Sequence, residues 1–392
     1  MAQVPIHLGH GPLTAPLPFS LDEYAQRLGR LRAAMAEAGL DAYVAFAPET
    51  IFWLTGHDTP AYQYLQACLV TADEMPLNLL RAIDASNTLA ASWSRRAAIY
   101  DDDADPVRLL AALLGERLPP GSRIGIEDDA FFVTPRRYRQ LEALLPRHPL
   151  IGAELVGALR LVKSAEEQAV IRAAGRITTA AMRAGIATAR PGVTENAVAA
   201  AVWAALVTEG GEFPGLPPFV VSGPRSSLGH ATWAGRQIRA GDLLALEIPG
   251  VTRRYVAPLF RCGTAGAPTR QMRRIEAACL TALDRMIAAL RPGAVAADIH
   301  RLNAGTFEAA GLRLGHRSGY SVGVNYAPDW GEGGLFSIRA DEHRRIAEGM
   351  AFHLVPGLCV PGEFGLVISE TVIVGPDGAV PVMDLPRGLF RF

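Results

Sequence analysis

The sequence predicts an α+β protein of two domains: a small α/β domain, then a larger domain with internal pseudo-symmetry. Three observations predict it. Short apolar runs alternate with amphipathic helical runs up to about Pro146. A junction-like segment, Leu159-Arg-Leu-Val-Lys-Ser164, then precedes a long capped helix. Beyond it, two helix-then-strand segments echo each other in the same order.

In chain order, Ser20-Leu-Asp-Glu23 reads as a capping box. Leu21, Tyr24, Leu28, Leu31 and Met35 follow at helical spacing, and Gly39 stops that helix. Ala42 to Ala47 is short and apolar enough for a buried strand. Ser164-Ala-Glu-Glu167 is a second capping box and opens a helix to about Ala187. Arg190-Pro-Gly-Val and Arg291-Pro-Gly-Ala each begin a further helix. Gly241-Asp-Leu-Leu-Ala-Leu-Glu-Ile-Pro-Gly250 is echoed by Gly349-Met-Ala-Phe-His-Leu-Val-Pro-Gly357. Two such halves put the expected site between them. The expected boundaries are residues 1–158 and 159–392.

Composition narrows the function classes. Of 392 residues 49% are hydrophobic and 20% charged, which supports a large core. The net charge of -1, with no basic stripe or polybasic run, argues against nucleic acid and membrane partners. The four cysteines are scattered without a Cys-x-x-Cys, as expected of buried reduced thiols. Met1 to Pro18 lacks the basic start and apolar run of a signal peptide. The longest apolar stretch, Ala197 to Val207, is short of the about 20 residues a membrane span needs. A cytoplasmic protein is expected.

Several segments carry possible chemistry. Gly319-Tyr-Ser-Val-Gly323 matches a serine-hydrolase elbow, but Pro328 and nearby glycines oppose the helix that elbow requires. A serine nucleophile is not expected. His230, in Ser226-Ser-Leu-Gly-His-Ala-Thr-Trp233, is either a surface loop histidine or a proton shuttle. Glu247 sits inside an apolar strand, either paired with a nearby arginine or tuned as base or nucleophile. Glu370 is a second acid in a β-rich run, and two acids facing one cavity suit a cationic substrate. Tyr326-Ala-Pro-Asp-Trp-Gly-Glu332 is an ordinary loop or an aromatic and acidic wall for a small ring or cation.

Together these segments resemble the creatinase and X-Pro aminopeptidase superfamily, with its creatinase-like N-terminal domain and pita-bread catalytic domain. The carriers are Gly241-Asp…Glu247…Tyr255…Arg261 and Gly349-Met-Ala-Phe-His-Leu-Val-Pro-Gly357. The metal-dependent members hold two ions with five side chains. At those positions this chain has Glu247, Pro258, Tyr320, Val355 and Ser369. Proline, valine and serine cannot replace carboxylates on a hard cation, so no metal and no cofactor are expected. His230 lies eleven residues before Gly241, the spacing of the catalytic histidine in creatinase, a metal-free member. A further resemblance, to the ectoine hydrolase branch, rests on five segments: His230-Ala-Thr-Trp233, Arg253-Arg-Tyr255, the loop from Tyr326 to Glu332, Phe352-His-Leu-Val-Pro356 and Ile368-Ser-Glu370. Val256 and Cys262 depart from that branch, as does Thr55-Gly-His-Asp-Thr-Pro-Ala-Tyr62.

The resemblance implies a metal-independent hydrolase cleaving a C–N bond in a small zwitterionic or cationic metabolite. The candidates are a cyclic amidine or amide such as ectoine, a guanidino compound and an N-acyl compound. It makes His230, Glu247 and Glu370 catalytic. It makes Tyr255, Tyr320, Tyr326, Asp329, Trp330, Glu332 and His353 substrate-binding or supporting. By analogy with creatinase a homodimer is expected. A silent binding protein of the same fold and a metal-dependent X-Pro dipeptidase are the alternatives.

Overall fold

The structure, a computed structural model, describes residues 3–392, so the first two positions of the N-terminal reading lie outside it. The chain divides into two compact units, Met1–Leu159 and Arg160–Phe392. Among the described residues no helix is long and apolar enough to cross a membrane.

In the first unit Ser20 Oγ accepts the Glu23 amide and starts the helix Leu21–Glu37. The Glu23 carboxylate holds Arg27 at 2.7 Å, one turn on. The buried strand Ala42–Ala45 lies inside a mixed seven-stranded sheet. That sheet runs in the order Ile6–Leu8, Arg96–Tyr100, Leu77–Arg81, Ala67–Thr71, Ala42–Ala45, Ile124–Ile126, Leu150–Gly152. The helix Pro106–Arg117 sends Val107, Leu110 and Leu114 into one core with Val44, Leu69, Leu79 and Ile126.

The second unit begins with the helix Ala165–Thr188, opened by a complete capping box between Ser164 and Glu167. The echoed segments fold alike. Gly192 and Gly293 both take left-handed φ, +88° and +85°. The Gly192 amide donates to Ile238 O and the Gly293 amide to Ile346 O, each at 2.8 Å. The Ile238 and Ile346 amides donate back to Val193 O and Ala294 O, again at 2.8 Å. The helices Glu195–Thr208 and Ala296–Ala309 follow these turns. Gly241 and Gly349, at φ +84° and +83°, then launch the echoed strands Leu243–Thr252 and Ala351–Leu354.

Each echoed strand is central to its own sheet. Leu243–Thr252 lies between Phe219–Ser222 and Tyr255–Thr264, with Phe390–Arg391 outside. Ala351–Leu354 lies between Gly319–Ser321 and Glu370–Gly375 in a five-stranded sheet. This is a pita-bread domain following a creatinase-type N-terminal domain. The two sheets are stitched at Pro258 to Arg261. Thr371 Oγ1 donates to Pro258 O at 2.6 Å, and the Phe260 amide donates to Ser369 Oγ at 2.6 Å.

Gly250 shows how closely the helix Ala165–Thr188 rides on the first sheet. A Cβ there would come within 2.4 Å of Thr178 Oγ1 and 2.7 Å of Ala174 O. One of those atoms is backbone and cannot swing away. Gly250→Ala is expected to cost about 1–3 kcal/mol through overpacking, read as a lower urea midpoint.

Candidate active site

Glu247 is the centre of the site. Register places it opposite Phe219 on one neighbouring strand and Phe260 on the other, so the three side chains share a sheet face. Its carboxyl is buried, and among the described residues it has no salt-bridge partner. Burial in this apolar setting pushes its pKa up to about 8, opposed by the positive charge of Arg317.

A chain of neutral groups stands beside it. The Trp330 indole N–H donates to Tyr320 Oη at 3.0 Å. Tyr320 Oη lies 2.8 Å from His353 Nδ1, and His353 Nε2 lies 2.6 Å from Ser369 Oγ. Ser369 Oγ in turn accepts the Phe260 amide. His353 is fully buried, and burial together with Arg317 and Arg261 pushes its pKa down to about 3. The imidazole is therefore neutral and both donates and accepts. Tyr320 is held well above the usual phenol range, first by burial and then by the Glu247 charge. The chain can be polarised either way. Tyr320 O–H can donate to His353, or Ser369 O–H can donate to His353 and free the phenol proton for the site.

His230 is exposed at the tip of a loop in left-handed conformation, φ +55°. Its ring centroid is 5.8 Å from Phe219, whose ring is 4.9 Å from Trp330. One aromatic wall thus joins His230 to the face that carries Glu247. Glu195 pins the loop at both ends. It accepts the Ser222 amide (2.8 Å), Ser222 Oγ (2.9 Å) and the Ala234 amide (3.0 Å), and pairs with Arg225. Arg225 Nη2 crosses the loop to Thr232 O at 2.7 Å. Asp329 is half-buried and spends one oxygen on the Trp330 amide at 2.7 Å.

The structure thus gathers His230, Glu247, Tyr320, Trp330, Asp329 and, behind Tyr320, His353. Four expected site residues are engaged elsewhere. Glu370 falls in the register row of Leu354, one residue out of step with the Tyr320–His353–Thr371 row, and so faces the other side of the sheet. There Arg261 holds it at 2.7 Å and Arg387 at 3.1 Å. Tyr255 donates to Glu167, tying its strand to the capping box of the helix Ala165–Thr188. Glu332 is buried against Lys163 Nζ at 2.6 Å and Ser321 Oγ at 2.9 Å, which keeps its proton affinity low. Tyr326 stacks on the buried guanidinium of Arg254, 4.3 Å from its ring centroid. The serine-elbow match is explained by the same pairing. Ser321 Oγ donates to Glu332, and turns rather than a helix follow it.

Two contributors had gone unnoticed in the sequence. Phe219 carries no motif. Arg317 places its guanidinium 4.2 Å from the Tyr320 ring centroid, and only its position three residues before Tyr320 could have pointed to it.

A two-lobed pita-bread catalytic domain with an N-terminal α/β domain defines a class of hydrolases. The chain belongs to metallopeptidase family M24, whose model matches residues 169–376, and the creatinase/prolidase N-terminal domain matches residues 27–162. It is 30% identical over 394 residues to ectoine hydrolase of Halomonas elongata, covering 95% of this chain and 98% of that one. It is 28% identical over 379 residues to the probable dipeptidase PepE of Mycobacterium tuberculosis, covering 95% and 97%. Among solved structures, dipeptidase PepE from Mycobacterium ulcerans superposes with a TM-score of 0.79 at 26% identity, covering 95% of this chain and 99% of that one. The prolidase of Thermococcus sibiricus has the same fold, with a TM-score of 0.85 at 18% identity, covering 95% and 100%.

The family's name implies metal, and the side chains present do not fit it. Of Glu247, Pro258, Tyr320, Val355 and Ser369, one is a carboxylate. Tyr320 and Ser369 are already taken up in the neutral chain through His353. Among the described residues no three His, Cys, Asp or Glu side chains are grouped to hold an ion.

Two outcomes follow from the charges. Arg261→Met leaves Glu370 buried with one cation fewer and is expected to cost about 3–5 kcal/mol, read by denaturant unfolding. Glu247 binds its proton more tightly folded than unfolded, so stability falls as pH rises from about 4.5 to about 8 and is flat above. Glu247→Gln should therefore gain melting temperature relative to the unaltered chain across that window, measured at a series of pH values.

Proposed function

We propose that this chain is a metal-independent hydrolase that opens a C–N bond in a small zwitterionic amidine or amide, with ectoine as the leading substrate. The observation that carries the reading is Glu247, a buried carboxyl without a salt-bridge partner beside a neutral hydrogen-bonded chain. A positively charged amidine brought against Glu247 supplies the missing counter-ion. It lowers the carboxyl's proton affinity and makes a carboxylate where one is needed.

Glu247 then acts on the electrophilic carbon, as base toward water or as nucleophile. With Glu247 as base, the water oxygen bonds to that carbon and its proton passes to Glu247. The C–N bond breaks as His230 gives its proton to the departing nitrogen, leaving a ring-opened amide. Glu247 returns its proton to His230 through solvent. Tyr320 donates a hydrogen bond to the oxygen that gains charge, and Trp330 and Phe219 wall the ring. Asp329 offers its second oxygen to a substrate N–H. Acid–base help of this kind contributes about 100- to 10,000-fold.

The resemblance to ectoine hydrolase supports this substrate class, and the unsuitable metal-donor set supports metal independence. The test is to incubate purified protein, with and without EDTA, with ectoine and with an X-Pro dipeptide, and to follow ring-opened product and free proline. The expected result is EDTA-resistant ring opening. Dipeptide cleavage that requires added metal would replace this reading with the dipeptidase one. His230→Ala should lower kcat by about 100-fold or more with a nearly unchanged melting temperature, because the imidazole is exposed and makes no hydrogen bond among the described residues. Retained turnover in that variant would remove His230 from the mechanism.

A further inference from the structure

We propose that Arg317 is the binding site for a substrate carboxylate, so that the substrate is a true zwitterion with its negative end at Arg317 and its hydrolysable C–N centre at Glu247. This rests on the hydrolase reading above and assigns the residue that meets the substrate's negative end.

The guanidinium is held in place without being used up. It lies over the Tyr320 ring at 4.2 Å, and Nη1 donates to Ser337 Oγ at 3.1 Å. Ser337 Oγ is itself fixed by donating to Gly333 O at 2.8 Å. A Cβ on Gly333 would come within 2.5 Å of Nη1, so the loop closes on Arg317 as tightly as a glycine permits. Among the described residues Nε and Nη2 have no protein partner, and the side chain is open to solvent. The other arginines around the stitched strands are spent. Arg254 lies between Phe213 and Tyr326, while Arg261 and Arg387 hold Glu370. A guanidinium with two free donors and a fixed plane matches a carboxylate.

The surrounding charges set the polarity. Arg317 acts on Glu247 electrostatically, yet the two close no ion pair among the described residues. A small molecule that is negative at one end and positive at the other would answer both charges. Glu247 and Asp329 alone would select a simple cation. With Arg317 over the Tyr320 ring, a cation lacking a carboxylate leaves the guanidinium unanswered. The charges of Glu247, Arg317 and Asp329 all act on Tyr320, and Arg317 lies over its ring.

The experiment compares ectoine with its carboxamide, which keeps the ring and loses the negative charge. Binding is measured by calorimetry on the unaltered chain, Arg317→Met and Arg317→Lys, and turnover is followed in parallel. The unaltered chain should bind the acid about 10- to 100-fold more tightly than the carboxamide. Arg317→Met should abolish that preference by weakening acid binding, with carboxamide binding unchanged, and Arg317→Lys should restore part of it. No preference in the unaltered chain, or the same preference in Arg317→Met, overturns the assignment. Circular dichroism checks that the variants fold. The two readings fail separately. Preferential acid binding without ring opening sinks the hydrolase and keeps the carboxylate site. Equal ring opening of both compounds does the reverse.

Discussion

The site depends on one hydrogen-bonded chain, Trp330 to Tyr320 to His353 to Ser369 to the Phe260 amide. It draws in Tyr320 and Ser369, two of the five positions considered for metal ligands. Each member of the chain satisfies the next, so no net charge is buried. That leaves Glu247 as a nearby group whose ionisation is not already compensated, which is why its proton is held so firmly. The buried position of Glu247 also strengthens whatever charge a substrate brings against it.

Three other buried acids are answered by arginine or lysine, and these pairs build the scaffold, while Glu127 and Glu167 are held by hydroxyl and backbone amide donors. Glu332 with Lys163 anchors the Trp330 loop to the start of the second unit. Glu370 with Arg261 and Arg387 clamps the back of the second sheet to the first. Glu195 with Arg225 holds the loop that carries His230. The division of labour is physical. A carboxylate with a fixed counter-ion is a poor base, because its proton affinity is held down. The same division separates Glu370 and Glu332, which the structure engages in ion pairs, from Glu247.

Much of the architecture was legible because it is written locally. The Ser164-Ala-Glu-Glu167 box, the paired Arg-Pro-Gly turns and the Gly241 and Gly349 strand starts are short-range signals, set by backbone conformation and capping. The failed serine elbow was legible for the same reason, since Pro328 forbids a prompt helix. The fates of Tyr255 and Tyr326 were not legible. Their partners, Glu167 and Arg254, are set by how the long helix and the Trp330 loop pack. Arg317 was invisible because nothing in a sequence separates an arginine stacked over a phenol from one in solvent.

The sequence by itself determined the order of elements, the doubled plan of the second unit, the loss of metal donors and the candidacy of His230 and Glu247. Each follows from residue type, spacing and backbone preference. Tertiary structure alone decided which acids were paired with arginine or lysine and that Glu247, among the described residues, was not. That choice turns on a one-residue offset in strand register and on which arginine reaches which carboxylate across the sheets. Charge pairing acts through space over a few ångströms, and the chain order of the partners says nothing about it.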